Sequence, residues 1–277
     1  MKTILVPTDF SDTAYNAATY ALSMAAQLKV DRIVLYHAYE LIVPIPDVPT
    51  SIPMVNPDDL RIASQEGLDK MQKELLPLAA EGVSIVTRAD NTLLAATIDD
   101  VVKQEEATLI VMGITGGSKV EEILVGSNTI DVVKHTTCPV LIVPGKASFK
   151  GIAKIVFACD LRQVADTTPI APLKKLLAAF HAELHVINID HESRHFSTDT
   201  PFETLMLDTL LEDYQPQYHF IDNPDVVQGI TEFAENIHAD MILTIPKKHG
   251  LFERIFKRSN TAKLAYQTHI PLLAIHE

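Results

Sequence analysis

The chain has 277 residues, a length of about two domains at roughly 150 residues each. Lys and Arg number 23 against 36 Asp and Glu, a formal charge of −13, which argues against a general nucleic-acid binder with its phosphate-neutralising surface. Hydrophobic residues at 47% exclude disorder as the default, and two cysteines, Cys138 and Cys159, exclude a disulfide framework.

The opening Met1-Lys2-Thr3 runs straight into Ile4-Leu5-Val6, with Asp9 and Asp12 close behind. No secretory leader is expected from that pattern. No apolar run reaches the roughly 18–20 residues that span a bilayer. The expectation is a cytoplasmic protein with reduced thiols and no membrane partner.

In chain order, Lys2–Val6 reads as a first strand. Asp12–Leu28 reads as a helix, with Ala18, Leu22, Ala25 and Ala26 on one face and Ser11 or Asp12 as its N-cap. Arg32–His37 is a second strand. Glu40–Pro57 is a loop, because five prolines interrupt any regular structure there. Asp58–Leu76 is a helix, Val83–Arg88 a third strand, Thr92–Glu106 a helix and Thr108–Met112 a fourth strand. Asn128–His135 is a helix and Pro139–Val143 a fifth strand. Strands alternating with helices, each strand continuously apolar, predict a parallel sheet covered on both faces.

After a Gly/Lys/Ser linker at Gly145–Gly151 the pattern restarts. Lys154–Asp160 echoes Lys2–Asp9, and Ala182–Asn188 echoes Asp31–His37. Ser259-Asn260-Thr261 echoes Ser127-Asn128-Thr129, and Ile270–Ile275 echoes Cys138–Val143. Four matches in the same order predict two related domains in tandem, at 1–146 and 151–277. The expected fold is α/β: two doubly wound, Rossmann-like domains, each a five-stranded parallel sheet of order 3-2-1-4-5.

The segment after strand four carries the chemistry. Gly113 and Gly116 are followed, after nine intervening residues, by Gly126-Ser127. Glycines after a parallel strand let backbone N–H groups approach an anion. Gly126-Ser127 stands at a helix start, where free N–H groups and the helix dipole favour phosphate. In a 3-2-1-4-5 sheet the switch point lies between strands one and four, so Thr8 and Asp9 should meet Met112 and Gly113. Each piece also has a purely structural reading, as turn glycine or helix cap. The pattern is neither a Walker A loop nor a dinucleotide fingerprint.

This motif, with Ile4–Ser11 and its first-strand Asp9 and with Cys138–Val143, resembles the universal stress protein (UspA-like) superfamily. The resemblance covers the whole chain, strongly in the first half and weakly in the second. It implies an adenine nucleotide alpha hydrolase-like fold and a regulatory, stress-response role. It also implies a bound adenine nucleotide (ATP, ADP or AMP, with or without Mg²⁺). Asp9 would bond the adenosine, Thr8 would line it and Ala38 would touch adenine. Met112 and Gly113 would flank base and ribose. Gly116, Gly126, Ser127 and Asn128 would cradle the phosphates, with Thr129 nearby. The two domains would form an internal pseudo-dimer through their last strands, and two chains could pair again as a homodimer. Two alternatives stay open: a slow ATPase or nucleotidyl-transfer enzyme, and a nucleotide-free protein interaction module.

The second half departs from the motif. Pro246 stands where Gly113 would be and His249 where Gly116 would be, Arg258 replaces Gly126, and the spacing is one residue shorter. This domain is expected to lack the standard nucleotide site. Its basic segment, Lys247 to Arg258, reads as a helix with one packed and one solvated side, with an anion-binding or partner-docking patch as the alternative. No metal site is expected from the eleven histidines. Cys138 reads as a buried structural thiol, and Cys159 as the better redox candidate.

Overall fold

A computed structural model describes residues 2–40, 57–114, 127–190, 199–246 and 269–276. The first repeat runs β1 (Thr3–Pro7), α1 (Asp12–Leu28), β2 (Arg32–Tyr39), α2 (Pro57–Leu75), β3 (Ser84–Asn91), α3 (Leu94–Gln104), β4 (Ala107–Ile114), α4 (Ser127–His135) and β5 (Val140–Pro144). The second runs β6 (Lys154–Ala158), α5 (Val164–Thr167), α6 (Ile170–Phe180), β7 (Glu183–Asp190), α7 (Thr200–Leu210), β8 (Gln217–Asp222), α8 (Val226–Asn236), β9 (Met241–Thr244) and β10 (Leu272–Ala274). Most of the proline-rich loop and all of the basic segment from Lys247 to Arg258 lie outside the described residues.

All the strands join in one ten-stranded sheet of order β3-β2-β1-β4-β5-β10-β9-β6-β7-β8. Each half thus has the expected 3-2-1-4-5 order, parallel throughout. The halves meet at β5 and β10, which pair antiparallel with Leu273 opposite Leu141. That antiparallel junction is what a two-fold relation between repeats requires.

The inner strands, such as β1 and β5, are buried on both faces, which is why they read as unbroken apolar runs, while the edge strands β3 and β8 are only partly buried. One apolar layer lies under α1, α2, α6 and α7, with Leu22, Leu68, Leu176 and Leu207 among its members. The other lies under α3, α4 and α8, with Ile98, Val132 and Ile230. Both layers continue across the junction between repeats.

Helix α1 bridges the site to that junction. Ser11 caps it by accepting the Ala14 N–H, and Lys29 ends it in the left-handed region at φ +52°. Its buried residues include five alanines, Ala14, Ala17, Ala18, Ala21 and Ala25, beside Tyr20, Leu22, Met24 and Leu28. Asn16 Nδ2 donates to the carbonyls of Pro144 and Ala147, both at 3.1 Å. Gln27 Nε2 donates to Ile152 O at 2.8 Å and Phe180 O at 3.1 Å, while its Oε1 accepts the Ile152 N–H at 2.9 Å. One helix therefore clamps the linker and the second repeat.

Candidate functional site

The site begins where β1 ends. Thr8 N–H donates to Tyr36 O at 2.8 Å, extending the ladder past the strand. Phe10 then adopts φ +63°, the left-handed region, which costs a bulky residue roughly 1–2 kcal/mol. Local bonds hold this turn. Thr8 Oγ1 accepts the Phe10 N–H at 3.0 Å and donates to Met71 Sδ at 3.4 Å. Asp9 Oδ1 accepts the Ser11 N–H at 3.0 Å and the Ser11 hydroxyl at 2.5 Å. Asp9 is itself exposed.

The end of β2 closes over this turn. His37 Nδ1 lies 2.7 Å from Thr8 O. A carbonyl only accepts, so Nδ1 carries the proton and donates. The His37 ring centroid is 4.5 Å from that of Phe10 and 6.5 Å from that of Tyr39. Phe10 in turn rests on α2 at Gly67, where an added Cβ would lie 2.7 Å from Phe10 Cζ.

The end of β4 forms the opposite wall. A Cβ on Gly113 would overlap the Thr13 carbonyl oxygen and lie 2.6 Å from its carbon. Glycine is therefore required there by the first turn of α1, whatever binds in front of it. Thr129 Oγ1 donates to Gly113 O at 3.0 Å, fixing the start of α4 against β4. The first turn of α4 holds no acidic residue, and its last turn carries Lys134 and His135 at the negative end of the helix dipole.

These elements enclose a cleft of about 120 Å³ lined by Pro7, Thr8, Asp9, Ser11, Thr13, Ala14, Tyr36, His37, Ala38, Leu94, Met112, Gly113, Asn128 and Thr129. It gathers Thr8, Asp9, Ala38, Met112, Gly113, Asn128 and Thr129 of the expected set. Ser127 opens α4 beside them. Gly116 and Gly126 lie outside the described residues. A carboxylate on one wall suits sugar hydroxyls, and a helix N-terminus on the other suits an anion. Among the described residues, no group of three or more His, Cys, Asp or Glu is placed to hold a metal ion.

Sequence reasoning missed Tyr36, His37 and Thr13. The signal available was position: Tyr36 and His37 directly precede Ala38 on a strand, so they take opposite faces at the sheet's carboxyl edge. Thr8 lines the cleft while its hydroxyl is engaged within the turn.

The second repeat rebuilds the same turn. Cys159 N–H donates to Ile187 O at 3.0 Å, and Leu161 takes φ +50° with its N–H on Cys159 Sγ at 3.4 Å. Arg162 N–H donates to Asp160 Oδ1 at 3.2 Å, and Asn188 Nδ2 donates to Cys159 O at 3.0 Å. Cys159 therefore does the work of Thr8 and is buried, a structural explanation for the thiol singled out as a redox candidate. Cys138 is buried as expected, and burial pushes its thiol up to about 12.

The ladder corrects the alignment of the second motif. Met112 pairs with Ile142 and Gly113 with Val143, while Thr244 pairs with Ala274. Thr244 is thus the counterpart of Met112, and Ile245, not Pro246, stands where Gly113 stands. The same offset carries Ser127 onto Ser259, so the spacing is not shortened, and Lys248 rather than His249 falls at the place of Gly116. Apolar strands carry no internal marker of register, and hydrogen bonding supplies it. In the second repeat the counterpart of α1 is split into α5 and α6, with Pro169 between them.

The comparisons agree with this architecture. The model of the universal stress protein family matches residues 1–144 and again 151–276. Universal stress protein MJ0531 of Methanocaldococcus jannaschii is 35% identical over 146 residues, which cover 51% of this chain and 81% of that protein. A universal stress protein of Thermus aquaticus is 34% identical over 148 residues, covering 51% of this chain and 98% of its own. The crystal structure of a universal stress protein from Archaeoglobus fulgidus matches 99% of this chain and 98% of its own with a TM-score of 0.71 at 18% identity, a likeness of fold. With the family model matched once in each half of a doubly wound, two-fold sheet, the chain belongs to the universal stress protein family as a tandem of two of its domains.

Proposed function

We propose that the first repeat binds ATP or a related adenine nucleotide, and that occupancy regulates a protein-interaction surface in a stress response. The observation that carries this reading is the convergence of Asp9, Ala38, Met112, Gly113 and the start of α4 on one cleft. The glycine pattern from Gly113 to Gly126 supplies the phosphate half. The second repeat keeps Asp160 but has Ile245, Lys248 and Arg258 at the glycine positions, so it is assigned no nucleotide of this kind. The reading is of a binder: Asp9, the one carboxylate lining the described cleft, is engaged with Ser11 through Oδ1.

The test is calorimetric titration of ATP, ADP, AMP and cyclic AMP, with and without Mg²⁺, into wild type and Gly116→Val. It is preceded by mass spectrometry of small molecules released on denaturing the purified protein. One site per chain, abolished by Gly116→Val with the fold intact, is expected. Two sites per chain would overturn the assignment of the second repeat. No released ligand and no heat would overturn the nucleotide reading in favour of an interaction module.

A further inference from the structure

One polar atom at the cleft is left without a partner. Tyr36 is fully buried and lines the cleft, and its hydroxyl makes no hydrogen bond. Thr97 and Asp90 act on this hydroxyl from nearby, and each also has a bond of its own. Thr97 Oγ1 donates to Leu93 O at 3.2 Å, and Asp90 Oδ2 accepts from Arg88 Nε at 2.8 Å. The ring is held in place, with the Arg88 guanidinium 5.9 Å above its centroid and that guanidinium pinned by Asp90 and Glu105. A buried hydroxyl without a partner weakens a folded state, so it calls for an explanation.

The second repeat shows that the fold does not require it. Tyr36 pairs with Pro7 in the ladder, and Ile187 pairs with Ala158 at the equivalent place. An aliphatic side chain fills that position, so the phenol oxygen is an addition to the first repeat. It lies in the repeat whose cleft is proposed to bind nucleotide, next to the strand end where Ala38 would meet the base.

We propose that the Tyr36 hydroxyl is a specificity-determining group that completes its hydrogen bonding on the edge of the bound nucleobase. The inference rests on the nucleotide reading of this cleft. A phenol both donates and accepts, which matches a purine edge presenting ring nitrogens beside an exocyclic group. A site built around such a bond discriminates strongly, because an unmatched ligand leaves the hydroxyl unpaired.

The test is Tyr36→Phe, which removes the one oxygen and keeps the ring. ATP affinity should fall about tenfold. The thermal midpoint without ligand should stay level or rise, because an unpaired buried group has been removed. A hydroxyl bonded to Thr97 in the free protein would give the opposite sign, a lowered midpoint, and that result would overturn the inference. A direct readout comes from tyrosine labelled with ¹³C at Cζ. The Tyr36 resonance, identified by its absence in Tyr36→Phe, should shift on saturation with ATP. Equal ATP affinity in the two proteins, or an unmoved resonance, would sink the inference while leaving the nucleotide reading intact. Absence of binding by wild type to ATP, ADP, AMP and cyclic AMP would instead mean that the nucleotide reading itself had failed.

Discussion

Replacing Gly113 with Ala separates the two reasons for a glycine at the end of β4. The new Cβ would overlap the Thr13 carbonyl oxygen and lie 2.6 Å from the Thr13 carbonyl carbon and 3.1 Å from Ala14 N. Ordinary carbon contacts begin near 3.5 Å, so the first turn of α1 must retreat by roughly 1 Å. Side-chain rotation cannot relieve this, because the obstacle is backbone. Retreat is opposed by the Asn16 bonds to Pro144 and Ala147 and by the buried alanine face of α1. The cost should be about 2–3 kcal/mol, in the range of overpacked cores. At a urea slope of about 2–3 kcal/mol/M the midpoint should fall by about 1 M. Gly82→Ala is the control. Gly82 has φ +84° and nothing within 4 Å, so only the backbone preference is lost, about 1 kcal/mol. If glycine served only ligand approach, Gly113→Ala would keep its urea midpoint and lose only nucleotide affinity. A destabilisation below about 0.5 kcal/mol would refute the packing argument.

Three other outcomes are expected. Gly67→Ala should be near neutral alone, the helix-propensity gain of about 1 kcal/mol being offset by displacement of the Phe10 ring. In a Phe10→Ala background the same change should stabilise by about that amount, and additive urea-unfolding values would contradict the contact. Burial holds the imidazoles of His185, His219 and His276 below their ordinary value of 6.5. Their contribution is fully present above that value and is lost as pH falls through their lowered native values, because the unfolded chain takes up protons first. The urea midpoint should therefore drop between pH 7.5 and 5, less steeply in His219→Asn, and a flat profile would count against it. Gln27→Ala removes three bonds to Ile152 and Phe180 and should cost about 2 kcal/mol. It should also speed proteolysis of the linker, and an unchanged cleavage rate would show that Gln27 is not the clamp.

Much of the fold was legible because the sheet is covered on both faces. Strands such as Ile4-Leu5-Val6 and Val140–Val143 then have no polar alternation to blur them. The bounds of α1 matched its capping signals, with Ser11 before the helix and a left-handed exit at Lys29. Strand ends were less legible. Ladder pairing continues from His37 to Tyr39 against β3, although the side chains there are only half-buried. The left-handed turn at Phe10 left no mark, since neither glycine nor asparagine stands there. The seven expected residues that meet in the cleft were found through the resemblance and the switch-point rule. Tyr36 and His37 were not, because a tyrosine or histidine inside an apolar strand reads as core.

The internal repeat supplies a control within one chain. The turn after the first strand is built twice with the same four bonds and the same positive φ, on Thr8 and His37 in one half and on Cys159 and Asn188 in the other. What both halves share is therefore what the fold needs: an acceptor side chain, a donor at the second strand's end and an Asp that closes the loop. What differs falls around the first cleft. Gly113 faces an uninterrupted α1 where Ile245 accompanies a broken helix. Tyr36 brings a hydroxyl where Ile187 brings none, and the His37 ring adds an aromatic surface where Asn188 makes only the bond. Fold stability does not account for the Tyr36 hydroxyl, because it is a buried polar atom without a partner. Under the proposed reading, a ligand in the first repeat supplies the partner that the folded chain leaves out, and that is the point on which Tyr36→Phe decides.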